Sequence, residues 1–108
     1  MQSPQRLEIG NLKSLSDLSV NDNELTGTVP TEIGLLQSLK TLSLFDNALT
    51  GTLPTEIGLL IGLDYLYLNN NAFTGTVPTE ILKLTNLNDI SFKGNNVSGR
   101  FFNNDLSG

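Results

Sequence analysis

One phrase is written three times in this chain at a fixed interval of 24 residues. It reads "NDNELTGTVPTE" at Asn21–Glu32, "FDNALTGTLPTE" at Phe45–Glu56 and "NNNAFTGTVPTE" at Asn69–Glu80. The apolar residues keep the same interval. Leu36, Leu39, Leu42 and Leu44 are matched by Leu60, Leu63, Leu66 and Leu68, then by Leu84, Leu87, Ile90 and Phe92. Upstream, Leu12, Leu15, Leu18 and Val20 fill the same slots. An asparagine follows each set at Asn23, Asn47, Asn71 and Asn95. A fixed period in this range means a solenoid: one unit cannot bury its apolar stripe alone, and stacked neighbours complete the core.

Local chemistry agrees with stacking. The L-x-L segment alternates with period two, so Leu42 and Leu44 point one way while Thr41, Ser43 and Phe45 point the other. The asparagine column falls where the chain leaves this strand, where its amides can satisfy backbone groups inside a tight turn. Gly27, Gly51, Gly75 and Gly99 permit a turn or a close approach between coils. Pro30, Pro54 and Pro78 hold the residue before them extended. Thr31, Thr55 and Thr79 are expected to N-cap a short helical turn, with Glu32, Glu56 and Glu80 near its positive end. The glutamates form a like-charge ladder on the side away from the strands, which fits capping better than acid–base chemistry.

The unit L-x-x-L-x-x-L-x-L-x-x-N-x-L-[TS]-G-x-[VL]-P-x-E-[IL]-G resembles a leucine-rich repeat, and its L-T-G-x-[VL]-P portion resembles the plant-type subclass. The resemblance covers about residues 7–99. It implies an α/β fold: a curved horseshoe segment of about four repeats, with a parallel concave β-sheet and short helical or 3-10 turns on the convex side. The whole of 1–108 reads as one domain, with a partial repeat at 1–11, regular repeats at about 12–99 and an irregular end at 100–108. At that end Arg100 and Phe102 replace the Thr and Pro of the motif, and Phe101 and Phe102 are expected to fold over the last coil. The cysteine-paired caps of plant extracellular relatives are lacking, since the chain has no cysteine. The expectation is a fragment of a receptor-like or inhibitor-like protein, or a chain that self-associates through uncapped ends.

Composition narrows the function. With 6 basic against 11 acidic residues the net charge is −5, which argues against a partner presenting nucleic-acid phosphates or an anionic membrane. Histidine and cysteine are both absent, so the usual proton shuttle, thiolate nucleophile and metal ligands are missing. Asp17 and Asp89 would lie three rungs or roughly 14 Å apart, too far to work as a catalytic pair. No cofactor, metal or catalytic residue is assigned. No apolar run is long enough for a membrane helix, and no signal peptide is evident. An extracellular or cell-surface location follows from the resemblance alone.

The resemblance implies that the outward strand positions form the recognition surface. They are Asp17, Ser19 and Asn21; Thr41, Ser43 and Phe45; Tyr65, Tyr67 and Asn69; and Asp89, Ser91 and Lys93. Phe45, Tyr65, Tyr67, Asn69, Asp89 and Lys93 form the candidate ligand-binding cluster for a protein, peptide or glycan. Tyrosine offers a large contact area with a polar handle, although aromatic residues also suit strands for packing reasons. Ile61 shares its column with Lys13, Gln37 and Thr85 and is expected outside. Asn96-Val97-Ser98 makes Asn96 a candidate glycan acceptor. The alternative function is ice binding. Thr26/Thr50/Thr74, Thr28/Thr52/Thr76 and Thr31/Thr55/Thr79 form three regular columns, with an expected spacing of about 4.8 Å.

Overall fold

The computed structural model describes residues 14–98, and each repeat within them forms one coil. In chain order the strands are β1 (Asp17–Ser19), β2 (Thr26–Gly27), β3 (Thr41–Ser43), β4 (Ala48–Gly51), β5 (Tyr65–Tyr67), β6 (Ala72–Thr76), β7 (Asp89–Ser91) and β8 (Asn96–Ser98). Three 3-10 turns lie between them: η1 (Thr31–Leu35), η2 (Thr55–Leu59) and η3 (Thr79–Lys83). Leu12, Lys13 and the partial repeat at 1–11 lie outside the described residues, as do Gly99, Arg100, Phe101, Phe102 and the rest of the irregular end.

The L-x-L segments pair in parallel in the order β1-β3-β5-β7. The register is one full repeat at every step, so Asp17 faces Thr41, Thr41 faces Tyr65 and Tyr65 faces Asp89. Hydrogen-bonded strands hold successive coils about 4.8 Å apart. The 3-10 turns on the opposite side lack such pairing, so the stack curves with the sheet on its concave face.

A second parallel sheet, β2-β4-β6-β8, runs along the flank. The L-T-G-T-V segment reads in sequence as turn chemistry, because it carries a central glycine and ends at a proline. Stacking nevertheless gives its backbone groups partners: the Ala48 N–H donates to the Leu25 carbonyl at 2.9 Å, and the Val77 N–H to that of Ser98 at 2.9 Å. This ladder is sheared by two residues from the repeat: Thr26 faces Ala48, Thr50 faces Ala72 and Thr74 faces Asn96.

The threonines do not cap the 3-10 turns. Pro30, Pro54 and Pro78 hold the N-cap positions in extended conformation, with no side-chain cap. Each proline carbonyl instead accepts the first bond of its turn, from Ile33 at 3.0 Å, Ile57 at 3.1 Å and Ile81 at 3.1 Å. Thr31, Thr55 and Thr79 are the first turn residues, and the glutamates follow in the first turn as expected. Proline fits there because its ring presets φ and no N–H is required of it.

The core is built from the apolar clock. Leu36, Leu39, Leu42, Leu44, Leu49, Leu53 and Ile57 are buried, and so are Leu60, Leu63, Leu66, Leu68, Phe73, Val77 and Ile81 one repeat later. The asparagine column does more than close its own turn. The Asn71 amide donates to the carbonyls of Leu68 and Asn69 at 3.2 and 3.3 Å. It also donates back to the preceding coil, to the Leu44 carbonyl at 2.9 Å, and accepts from the Leu49 N–H at 3.0 Å. Asn47 and Asn95 repeat the pattern. Each asparagine therefore staples two coils, and no buried side-chain polar atom among the described residues lacks a partner.

Candidate functional site

β5 presents both tyrosines of the chain outward from a buried backbone position. Leu66 between them is fully buried, Tyr65 is exposed and Tyr67 is half-buried. Their ring centroids lie 6.1 Å apart with planes 21° from parallel, an offset stack along the strand. Thr41 and Ser43 of β3 flank them on one side, and Asp89 and Ser91 of β7 on the other.

Asp89 joins the pair by a diagonal contact. The register places it opposite Tyr65, yet the Tyr67 hydroxyl donates to its Oδ2 at 3.1 Å. Its Oδ1 accepts from the Ile90 N–H at 2.9 Å, which fixes the carboxylate's orientation. The Tyr67 phenol is held above its ordinary value of 10.0, first by burial, then by the hydrogen bond to Asp89 and by the negative charges of Asp89 and Tyr65. It thus remains a donor throughout the neutral range.

The six-residue cluster divides in two. Tyr65, Tyr67 and Asp89 are joined by contacts. Phe45, Asn69 and Lys93 stand one column further along, where the chain leaves the strands, and the Phe45 ring has no ring partner among the described residues. Their backbones are well held: the carbonyls of Phe45, Asn69 and Lys93 accept from the N–H groups of Asp22, Asp46 and Asn70 at 3.0, 3.0 and 2.7 Å.

Two residues of the expected recognition grid serve the scaffold instead. Ser43 is buried, and its hydroxyl donates to Asn21 Oδ1 at 2.7 Å. The same oxygen accepts from the Phe45 N–H at 3.2 Å, so Asn21 braces the neighbouring rung. Asp17 is engaged by the Ser19 hydroxyl at 2.5 Å and lies three strands from Asp89 in the same column.

The remaining sequence candidates lie elsewhere. Ile61 is 64% exposed, with Gln37 and Thr85 exposed in the same column. Leu35, Leu59 and Leu82 are also exposed on the 3-10 turns. Asn96 is exposed on β8, with Val97 packed inward against the core. Thr28 and Thr52 point methyl groups at the next coil's glycine: a Cβ added to Gly51 or Gly75 would lie 2.8 or 2.7 Å from them. A cavity of about 380 Å³ is lined by Ile81, Leu82, Leu84, Leu87, Asn88, Asp89 and Ile90 of the last described coil. Among the described residues there is no group of three or more acidic, histidine or cysteine side chains fit to hold a metal, and no helix long and apolar enough to cross a membrane.

The sequence profile of the Leucine Rich Repeat family matches residues 38–60 and 62–84. No curated protein sequence matches the chain. Solved structures do. A chain of the BIR3–SERK2 complex from Arabidopsis thaliana is 32% identical over 94% of this chain and 59% of its own length, with a TM-score of 0.85. The ectodomain of the Arabidopsis receptor kinase HAESA, solved with an N-terminally extended IDA peptide hormone ligand, is 33% identical over 83% of this chain and 15% of its own, with a TM-score of 0.80. A leucine-rich-repeat protein of Leptospira interrogans is 45% identical over 82% of this chain and 22% of its own, with a TM-score of 0.72. The chain therefore spans less than two thirds of each of these relatives.

Proposed function

The chain is a leucine-rich-repeat protein of the plant-type repeat class, and from that premise we propose that its concave sheet is a recognition surface for a peptide or protein partner, centred on Phe45, Tyr65, Tyr67, Asn69, Asp89 and Lys93. The observation that carries the reading is the tyrosine pair, held outward on an interior strand whose intervening leucine is wholly buried. A rigid aromatic pair gives contact area at low entropic cost, the property of interface anchors. Similar solved ectodomains include one bound to a peptide hormone, which supports a peptide as partner. The acidic balance of the chain sets it apart from surfaces that bind polyanions.

The test is selection from a displayed random-peptide library on the folded chain. The expected result is a set of binders whose affinity falls about tenfold on Tyr65→Ala or Tyr67→Ala while the thermal unfolding curve is retained. Binders indifferent to both substitutions, or none at all, would overturn the reading.

The ice-binding alternative draws support from the exposure of Thr50, Thr74, Thr52 and Thr76 on the flank. Against it, the flank strands are sheared and the Thr28 and Thr52 methyls are engaged by glycine. A thermal-hysteresis assay without ice shaping removes it.

A further inference from the structure

We propose that Tyr65, Tyr67 and Asp89 form a subsite for a guanidinium group, so that the peptide recognised by the concave face carries an arginine. The inference rests on the reading of that face as a recognition surface and adds the chemistry of one contact. Asp89 is an exposed carboxylate with a fixed orientation, since the Ile90 N–H holds one oxygen and the Tyr67 hydroxyl the other. Each oxygen keeps lone-pair capacity beyond its single bond, because an ionised carboxylate accepts about four. No lysine or arginine among the described residues pairs with it. The Lys40 ammonium lies by Gly62, 3.8 Å from where a Cβ would stand there. Lys93 lies four positions along the chain, past the end of β7.

Beside this carboxylate stand two stacked tyrosine rings, their planes 21° from parallel. A flat cation laid against an outer ring face of that stack gains the attraction of the aromatic face and can turn its donor edge towards Asp89. Guanidinium meets both demands: it is planar, weakly hydrated and forked, whereas an ammonium is a compact, strongly hydrated point charge. Asp64 precedes Tyr65 in the chain, whereas Asp17, three strands away in the same column, is screened from the subsite by solvent. The Tyr67 hydroxyl shares Asp89 Oδ2 with the incoming cation and competes with it for that oxygen's charge.

The probe is the capped tripeptide acetyl-Gly-Arg-Gly-amide, titrated into the isotope-labelled full chain and followed by amide chemical shifts. Its counterparts with lysine and with uncharged citrulline serve as comparisons. Saturable shifts at Tyr65, Tyr67, Asp89 and Ile90 are expected with arginine, weaker ones with lysine and none with citrulline. Asp89→Asn is expected to weaken the arginine response about tenfold. Tyr67→Phe keeps the ring and removes the competing hydroxyl, so it is expected to retain or strengthen the response. Equal responses to arginine and citrulline, or no arginine-dependent shift at these four amides, overturn the subsite. Library peptides that bind the concave face without an arginine would sink this inference alone and leave the recognition surface standing.

Discussion

Asn70 and Asn71 are neighbours of the same type with opposite duties. The Asn71 amide holds three carbonyls and one N–H, two of these groups on the preceding coil. Replacing it by alanine strips those groups of their partner, and each buried group left unpaired costs about 1–3 kcal/mol. Asn70 makes one exposed bond, to Asp46 at 2.8 Å, and sits at φ 60°. Its column is Asp22 (φ 56°), Asp46 (φ 61°), Asn70 and Gly94 (φ 77°), all left-handed. Asparagine tolerates that region and glycine suits it better. Asn71→Ala is expected to lower unfolding free energy by at least about 3 kcal/mol, and Asn70→Gly to leave it within about 1 kcal/mol; urea denaturation of both variants checks the contrast. A collapse of Asn70→Gly as severe as that of Asn71→Ala would show the stapling account to be wrong. The sequence displayed both columns but only one duty. Asn23, Asn47, Asn71 and Asn95 are legible as turn amides because every unit repeats them. Their reach into the coil before is not, since it depends on how far apart coils stack. The left-handed column carried a legible signal, the series Asp, Asp, Asn, Gly, whose common property is tolerance of positive φ.

At the scale of elements, the flank sheet exists because coils come close enough for its glycine column to matter. Gly27 and Gly51 share a positive φ, +80° and +77°. They differ in what a side chain would meet. Among the described residues nothing approaches within 4 Å at Gly27, whereas at Gly51 the Thr28 methyl lies 2.8 Å away. Gly27→Ala therefore carries the conformational cost, about 1–2 kcal/mol, with no added contact from any described residue. Gly51→Ala adds a packing cost of about 1–3 kcal/mol for the overcrowded contact. Adding Thr28→Ser to Gly51→Ala removes the methyl and is expected to restore the packing part only, bringing the double variant down to the cost of Gly27→Ala. Chemical denaturation of these three variants and of Thr28→Ser alone closes the cycle, and equal losses for the two single glycine variants would refute the close approach. The same elements show where sequence reasoning stops. The concave strands announce themselves through L-x-L alternation. The flank strands contain a glycine and abut a proline, and their pairing arises from neighbours two residues out of step with the repeat. The 3-10 turns were visible in T-E-I, but the extended proline before each occupies the cap position given in sequence to threonine.

For the whole molecule, the placement of the tyrosines on β5 has an energetic consequence. A solenoid coil interacts only with its neighbours, so stability is close to a sum of coil and interface contributions. β3 and β5 are paired on both sides, whereas β1 and β7 are paired on one side among the described residues. Local opening then starts at the outer coils, and amide exchange at Leu42 and Leu66 should require an opening closer to global than exchange at Leu18 or Ile90. The repeat interval made this grid legible, since an identical register at every step follows from identical units. It did not make the Tyr67–Asp89 contact legible, because that bond runs diagonally between positions the register does not pair. The tyrosine pair is thus expected to stand on a strand that stays formed when the outer described coils open, as a preorganised surface requires. Leu66→Ala removes the fully buried anchor between the two rings. It is expected to cost about 2–5 kcal/mol and to lower protection across β3, β5 and β7 together. Leu18→Ala, on an outer coil, is expected to speed exchange in β1 while leaving β5 protected and peptide affinity unchanged. Hydrogen exchange followed residue by residue on both variants decides the matter: uniform loss of protection from Leu18→Ala would mean that the coils unfold as one block, and the central strand would then hold no advantage as a platform for recognition.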